Sequence, residues 1–208
     1  MIKFVYFDVG GVLIKDFSAT SKWEDLKYSI GVRPENEKKF MEVWMKYRDR
    51  ICIDYDINDK ISELINEVGL SIPPHYSFLH GFTDKFEKNE SIWNIVEKMK
   101  KSIRIGLLTN MYVGMLDVII EKEIVPPVQW DVIVDSSKVK AQKPDVKIFE
   151  IAQEKAGVLT EEILFIDNKE KHVNAAKQLG WQTFLYDSSN YEKSSNELGI
   201  FLNHVGIL

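Results

Sequence analysis

Five short apolar runs punctuate the chain, IKFVYF, IRIGLLT, DVIVD, EILFID and QTFLY, and each ends at a polar or turn residue. None alternates strictly between polar and apolar positions. Strands buried on both faces read this way, so the pattern predicts a parallel sheet of five strands covered by helices, an α/β fold. Between the runs the apolar positions recur with the helical period. Ile92, Ile95, Val96 and Met99 form one stripe, Leu116, Ile119 and Ile120 a second, and Ile148, Phe149, Ala152 and Ala156 a third. Gly157 and Gly180 stand where helix ends call for left-handed backbone.

Roughly ninety residues separate the first run from the second, far more than a crossover needs. They show helical patterns and no convincing strand: Phe40, Val43, Trp44 and Tyr47 repeat at helical spacing, as do Ile61, Leu64, Ile65 and Val68 before Gly69. This stretch reads as a helical cap, residues 16–87, inserted into a core made of residues 1–15 and 88–208, with Pro73 and Pro74 breaking its later part.

Composition narrows the function classes. At 208 residues the chain has room for a full core and an appendage. Its net charge of −5 is spread over many acids and bases with no basic run, so nucleic acid is not an expected partner. The single cysteine, Cys52, cannot form an internal disulfide, the first residues do not read as a signal peptide, and no apolar run approaches the ~18 residues of a membrane span. A cytoplasmic protein without membrane contact is expected.

Candidate chemistry sits at the ends of the runs. Asp8 closes the first, where open α/β sheets bind ligands, and Gly10 and Gly11 let backbone N–H groups approach an anion. The second ends in LLTN, offering the Thr109 hydroxyl and the Asn110 backbone amide. AQKPD places Lys143 just before a helix, where an ammonium can neutralise a transferring phosphoryl group. FIDN supplies Asp167 and Asn168 as oxygen ligands for a hard cation. Each alone has a structural reading as a cap, a surface lysine or a turn; the four in this order point to one site.

FDVGGVL, LLTN, QKPD-x-x-IF and FIDN-x-x-x-x-V-x-AA-x-x-LG resemble the four ordered motifs of the haloacid dehalogenase (HAD) superfamily, and the insertion resembles the helical cap of its dehalogenase and phosphatase branch. The resemblance implies a Rossmann-like core and a hydrolase in which Asp8 attacks a small phosphorylated metabolite to form an aspartyl-phosphate. It implies that Thr109 and Lys143 hold the phosphoryl oxygens, and that Mg²⁺ sits between Asp8, the carbonyl of Gly10 and the pair Asp167 and Asn168.

Two positions depart from the pattern. Family phosphatases carry a second Asp two residues after the nucleophile, as general acid and base; here it is Gly10. Such a group is worth about 10² to 10⁴ in rate. Its loss should penalise alkyl phosphates most, and Gly10→Asp should speed turnover if the loop admits the side chain. The usual second acid of the last motif is Asn168, which should weaken Mg²⁺ binding and leaves open whether Asp167 or Asn168 meets the metal. His172 reads as a surface helical residue, and Tyr47, Arg48, Asp49, Arg50, His75 and His80 as cap residues within reach of a substrate. The alternatives are a catalytically weakened binding protein and, further behind, a 2-haloacid dehalogenase, whose motifs FDVGG and FIDNKEKH do not supply.

Overall fold

The computed structural model describes residues 1–208. In chain order the elements are β1 (Phe4–Phe7), β2 (Ile14–Lys15), α1 (Lys22–Ser29), α2 (Pro34–Met45), α3 (Lys60–Glu63), α4 (Phe78–Thr83), β3 (Glu87–Lys88), α5 (Glu90–Lys100), β4 (Arg104–Thr109), α6 (Met115–Glu121), β5 (Val132–Asp135), α7 (Ser136–Val139), α8 (Val146–Ala156), β6 (Ile163–Asp167), α9 (Glu170–Gln178), β7 (Gln182–Leu185) and α10 (Tyr191–His204).

The five expected runs become β1, β4, β5, β6 and β7, a wholly parallel sheet in the order β5-β4-β1-β6-β7. The side chains of β1 alternate between two cores. Val5 and Phe7 pack with α5, α6 and α10 on one face, while Phe4 and Tyr6 pack with α8 and α9 on the other. Both sets are fully buried, which is why the strand reads as an unbroken apolar run. The chain moves outward on one side of β1 through β4 to β5, then crosses to β6 and β7 on the other. The carboxyl end of β1 therefore lies at the reversal of strand order, where such sheets hold ligands.

Residues 16–86 contain α1 to α4 with short 3₁₀ and π segments. The two-residue strands β2 and β3 pair antiparallel at the ends of this segment, a ladder too short to leave an apolar pattern. Its aromatic cluster of Phe40, Trp44, Phe78 and Phe82 belongs to the same continuous core as Val5 and Phe7. The helical stripes hold except at their margins, where Ile65 and Ile120 are exposed. Helix α2 stops at Met45, so Tyr47 stacks on Tyr55, ring centroids 4.4 Å apart, instead of extending the stripe. The fully buried Lys60 is satisfied nearby: its ammonium donates to the Val43 carbonyl at 2.8 Å and lies 4.3 Å from the centre of the Tyr47 ring. No helix is long and apolar enough to cross a membrane.

Gly106, inside β4, marks a tight approach between sheet and core. A Cβ there would stand 2.7 Å from the Val132 carbonyl oxygen and 2.9 Å from a ring carbon of Tyr6. Hydrogen-bonded ladder backbone and a fully buried tyrosine ring cannot give way cheaply, so Gly106→Ala should destabilise the protein by about 1–3 kcal/mol. Urea unfolding should show a lower midpoint at unchanged slope; an unchanged midpoint would mean that β5 shifts freely.

Candidate active site

After β1 the chain makes a tight turn. The amides of Val12, Leu13 and Ile14 all donate to the Val9 carbonyl, and the Gly11 amide donates to Ile14. Asp8 sits at the start of this turn, its Oδ1 accepting from the Val9 amide at 2.8 Å. No hydrogen bond engages Oδ2, which leaves one oxygen of the carboxylate free. Gly11 has φ +76, and a Cβ there would lie 2.0 Å from Asn168 Nδ2. Only glycine meets both demands.

The structure brings Lys143 directly behind Asp8. The ammonium, fully buried, donates to Asp167 Oδ2 at 2.6 Å and the Leu108 carbonyl at 2.8 Å, and lies 3.1 Å from Asp8 Oδ1. Asn110 fixes the loop that carries it: its side chain donates to the Lys143 carbonyl at 2.9 Å and accepts from the Lys143 amide at 2.8 Å. The Asn110 side chain is thus committed to the scaffold. Thr109 is buried with no hydrogen-bond partner for its hydroxyl. An unsatisfied buried hydroxyl at the mouth of a sheet is a group prepared for a ligand.

Asp167 and Asn168 take different directions. Asp167 is fully occupied, accepting from Lys143, from the Lys169 amide at 2.7 Å and from His172 Nδ1 at 3.1 Å. Asn168 donates from Nδ2 to Ser188 at 2.8 Å and to Ser18 at 3.2 Å, and its buried Oδ1 has no partner. Asp8, Asp167 and His172 offer ligand atoms within 4.8 Å of one another. Lys143 already stands between the two carboxylates, however, so that trio is a hydrogen-bond network. Asp8 Oδ2 and Asn168 Oδ1 are left without hydrogen-bond partners.

A cavity of about 430 Å³ opens above these groups, lined by Asp8, Gly10, Asn110, Asn168 and His172 and, from the segment 16–86, by Asp16, Phe17, Trp23, Trp44 and Phe82 among others. Of the cap residues singled out from the sequence, Tyr47, Arg48, Asp49, Arg50, His75 and His80 do not line it.

A family model for hydrolases, described as haloacid dehalogenase-like hydrolase, matches residues 2–180. This chain belongs to that family. It is 24% identical to Phosphatase MT3486 of Mycobacterium tuberculosis over 226 residues, covering 99% of both chains. Among solved structures it is similar to the HAD family enzyme bt-2542 of Bacteroides thetaiotaomicron, with a TM-score of 0.76, 19% identity and coverage of 91% of this chain and 95% of that one. That enzyme has also been solved with magnesium and inorganic phosphate. A predicted HAD-like hydrolase of Porphyromonas gingivalis gives a TM-score of 0.75 at 21% identity, over 99% of this chain and 98% of that one.

Two residues of this hydrolase's site escape a sequence reading. His172, expected on the surface, is buried against Asp167 in the first turn of α9. A carboxylate only accepts, so Nδ1 carries the proton in the neutral ring. Burial holds His172 below its ordinary pKa despite Asp167, so the ring is neutral at pH 7. The signal was a histidine five residues after the strand-end Asp. Asp16 lines the cavity because the Val9 to Ile14 turn folds the chain back; nothing in its immediate sequence marks it.

The hydrolase carries two buried carboxylates on one ammonium. Burial works to raise Asp167, but Lys143 and His172 outweigh it and hold the carboxyl well below its usual range. Asp8 bears the deficit, pushed up to about 7 by burial and then by the charge of Asp167, against the pull of Lys143. An acid that is easier to protonate folded than unfolded loses stability as pH rises from its unfolded pKa, near 3.8, to about 7. Asp8→Asn removes that penalty. In metal-free buffer the variant should melt several degrees above wild type at pH 8, at roughly 2–4 °C per kcal/mol for this size, and the gap should close by pH 4. Equal melting temperatures at pH 8 would show that Lys143 fully compensates both carboxylates.

Proposed function

We propose that this hydrolase is a Mg²⁺-dependent phosphatase of a small phosphate monoester with an apolar body, acting through an aspartyl-phosphate on Asp8. The observation that carries this reading is Asp8 on the wall of the cavity with Oδ2 free of hydrogen bonds, while the buried Lys143 ammonium holds its Oδ1 at 3.1 Å. Residues 16–87 serve as the cap, and their aromatic walls, Phe17, Trp23, Trp44, Phe82 and Phe86, favour an aryl or alkyl group over a polyhydroxylated sugar.

The residues fit a hard cation. Asn168 Oδ1 is a buried oxygen without a donor, and with Asp8 and the Gly10 carbonyl it forms an all-oxygen set of the kind that suits Mg²⁺. When bound, the ion supplies positive charge against the phosphoryl oxygens. Asp8 attacks phosphorus and splits one hard displacement into two easier ones. Lys143 and Thr109 hold the equatorial oxygens, Asp167 positions Lys143, and Asn110 positions the loop beneath it. A free thiol at Cys52 agrees with a cytoplasmic workplace.

A panel of aryl, alkyl and sugar phosphates, assayed with Mg²⁺ and with chelator, tests the reading. Turnover should require Mg²⁺, rank aryl and alkyl esters above sugar phosphates, and vanish in Asp8→Asn. If Asp8→Asn keeps the wild-type rate, the covalent route is wrong. A wild type with neither turnover nor a Mg²⁺-dependent thermal shift would point to a binding protein.

Asn168→Asp should tighten apparent Mg²⁺ affinity, since it adds a full charge where a neutral amide oxygen now waits. A titration showing no gain would mean that Asp167 is the ligand and that Lys143 gives way to the ion.

A further inference from the structure

The family motif leaves a vacancy at position 10, yet the structure fills the space. A Cβ added to Gly10 would stand 2.6 Å from Asp16 Oδ2 and 3.4 Å from its Cγ. The carboxylate of Asp16 thus lies where a side chain at position 10 would begin. Glycine at position 10 is what admits it.

Three further observations point the same way. Asp8 and Asp16 are the only carboxylates among the residues lining the cavity. Asp16 is anchored by one oxygen alone, Oδ1 accepting from the Ser18 amide at 2.8 Å, while Oδ2 carries no hydrogen bond and no ion pair. The other titratable groups on the cavity wall are less suited to exchange a proton there. Burial raises the Cys52 thiol and the Tyr112 phenol, the protonated nitrogen of His172 is held by Asp167, and Lys169 Nζ donates to Ser18 at 3.4 Å.

Resting on the phosphatase reading above, we propose that Asp16 is the general acid and base of this enzyme. In the first half-reaction a bond forms between Asp8 Oδ2 and phosphorus as the ester P–O bond breaks, and the carboxylic acid of Asp16 gives its proton to the departing oxygen. The products are a free alcohol, the aspartyl-phosphate and an Asp16 carboxylate. In the second half that carboxylate takes a proton from water, the hydroxide attacks phosphorus, and the Asp8–phosphorus bond breaks. Inorganic phosphate leaves, Asp8 is again a carboxylate and Asp16 again an acid. The vacancy at position 10 therefore does not weaken the enzyme, and Gly10→Asp does not improve it, because its Cβ meets a carboxylate already in place.

Asp16→Asn is the suitable variant, since its amide oxygen still accepts from the Ser18 amide and keeps the turn. Wild type, Asp8→Asn and Asp16→Asn are compared with Mg²⁺ on an alkyl phosphate and on p-nitrophenyl phosphate, by steady-state and rapid-quench kinetics. Wild type should release nitrophenol linearly. Asp16→Asn should lose about 10² to 10⁴ in kcat on the alkyl ester at little change in KM. On the aryl ester, whose leaving group needs no proton, it should give a burst of one nitrophenol per enzyme followed by slow hydrolysis, with phosphate retained on the protein.

A wild type active on both esters beside an Asp16→Asn of equal activity would overturn the assignment and leave the phosphatase reading standing. An Asp16→Asn that loses turnover on both esters without a burst would also overturn it, for that is how a merely structural residue fails. A wild type inactive on every ester would remove the phosphatase reading and this assignment with it.

Discussion

The buried ammonium of Lys143, shared between Asp8 and Asp167, is the interaction on which the site depends. It lies 3.1 Å from one carboxylate and 2.6 Å from the other, with no exposure to solvent. Breaking such a pair leaves an uncompensated buried charge, at a cost of about 3–5 kcal/mol. The surroundings are built to keep it: Asn110 grips the Lys143 backbone from both sides, and the Leu108 carbonyl takes a third bond from the ammonium. With His172 neutral, two carboxylates and one ammonium leave the site one positive charge short. Asp167 has the closer partner and further donors, so Asp8 carries the shortage. A carboxylate that is free on one oxygen and poorly compensated is a group that welcomes a cation beside it.

Much of this was legible in the sequence because the determinants are local. A strand buried on both faces must be apolar, as β1, β4 and β6 at the centre of the sheet are, while the edge strands β5 and β7 keep apolar runs although they are partly exposed. Asp8, Thr109 and Asp167 draw attention because each stands at the end of an apolar run, where a polar residue is conspicuous, and Lys143 because it precedes a helix in AQKPD. What stayed hidden depends on contacts between distant segments. The sequence alone leaves Asp167 and Asn168 equivalent, and only the packing of Lys143 and His172 against one and Ser18 and Ser188 against the other separates them. The burial of His172 was missed for the same reason. A histidine in the first turn of a helix looks exposed until the carboxylate beneath it is placed.

The glycines show how an absent side chain can carry information. Beside the family motif, Gly10 looks like a loss and Gly11 like a mere turn residue. In the structure each is a space taken by a residue from elsewhere: Asn168 closes over Gly11, and Asp16 over Gly10. The turn from Val9 to Ile14 makes both possible, because it reverses the chain and returns residues 16 to 18 to the mouth of the sheet. A motif records which residue types occupy fixed positions. The space beside such a position can be filled from a second direction, as the Asp16 carboxylate fills the one beside Gly10.

The helical segment does more than line the cavity. Its aromatic residues belong to the same continuous core as Val5 and Phe7, so the wall of the cavity and the strand that presents Asp8 are parts of one packed body. Trp23 and Phe82 stack at an interplanar angle of 7° with centroids 6.0 Å apart, and Phe17 packs on Phe82 at 5.1 Å. Large rings arranged this way exclude water cheaply, since they have few rotamers to lose. A cavity walled by them lowers the local dielectric around Asp8, Lys143 and Asn168, and every charge interaction there strengthens accordingly. The same wall thus raises the pKa of Asp8 by desolvation and sharpens its demand for positive charge. The apolar lining of the cavity and the electrostatic state of Asp8 are consequences of one packing arrangement.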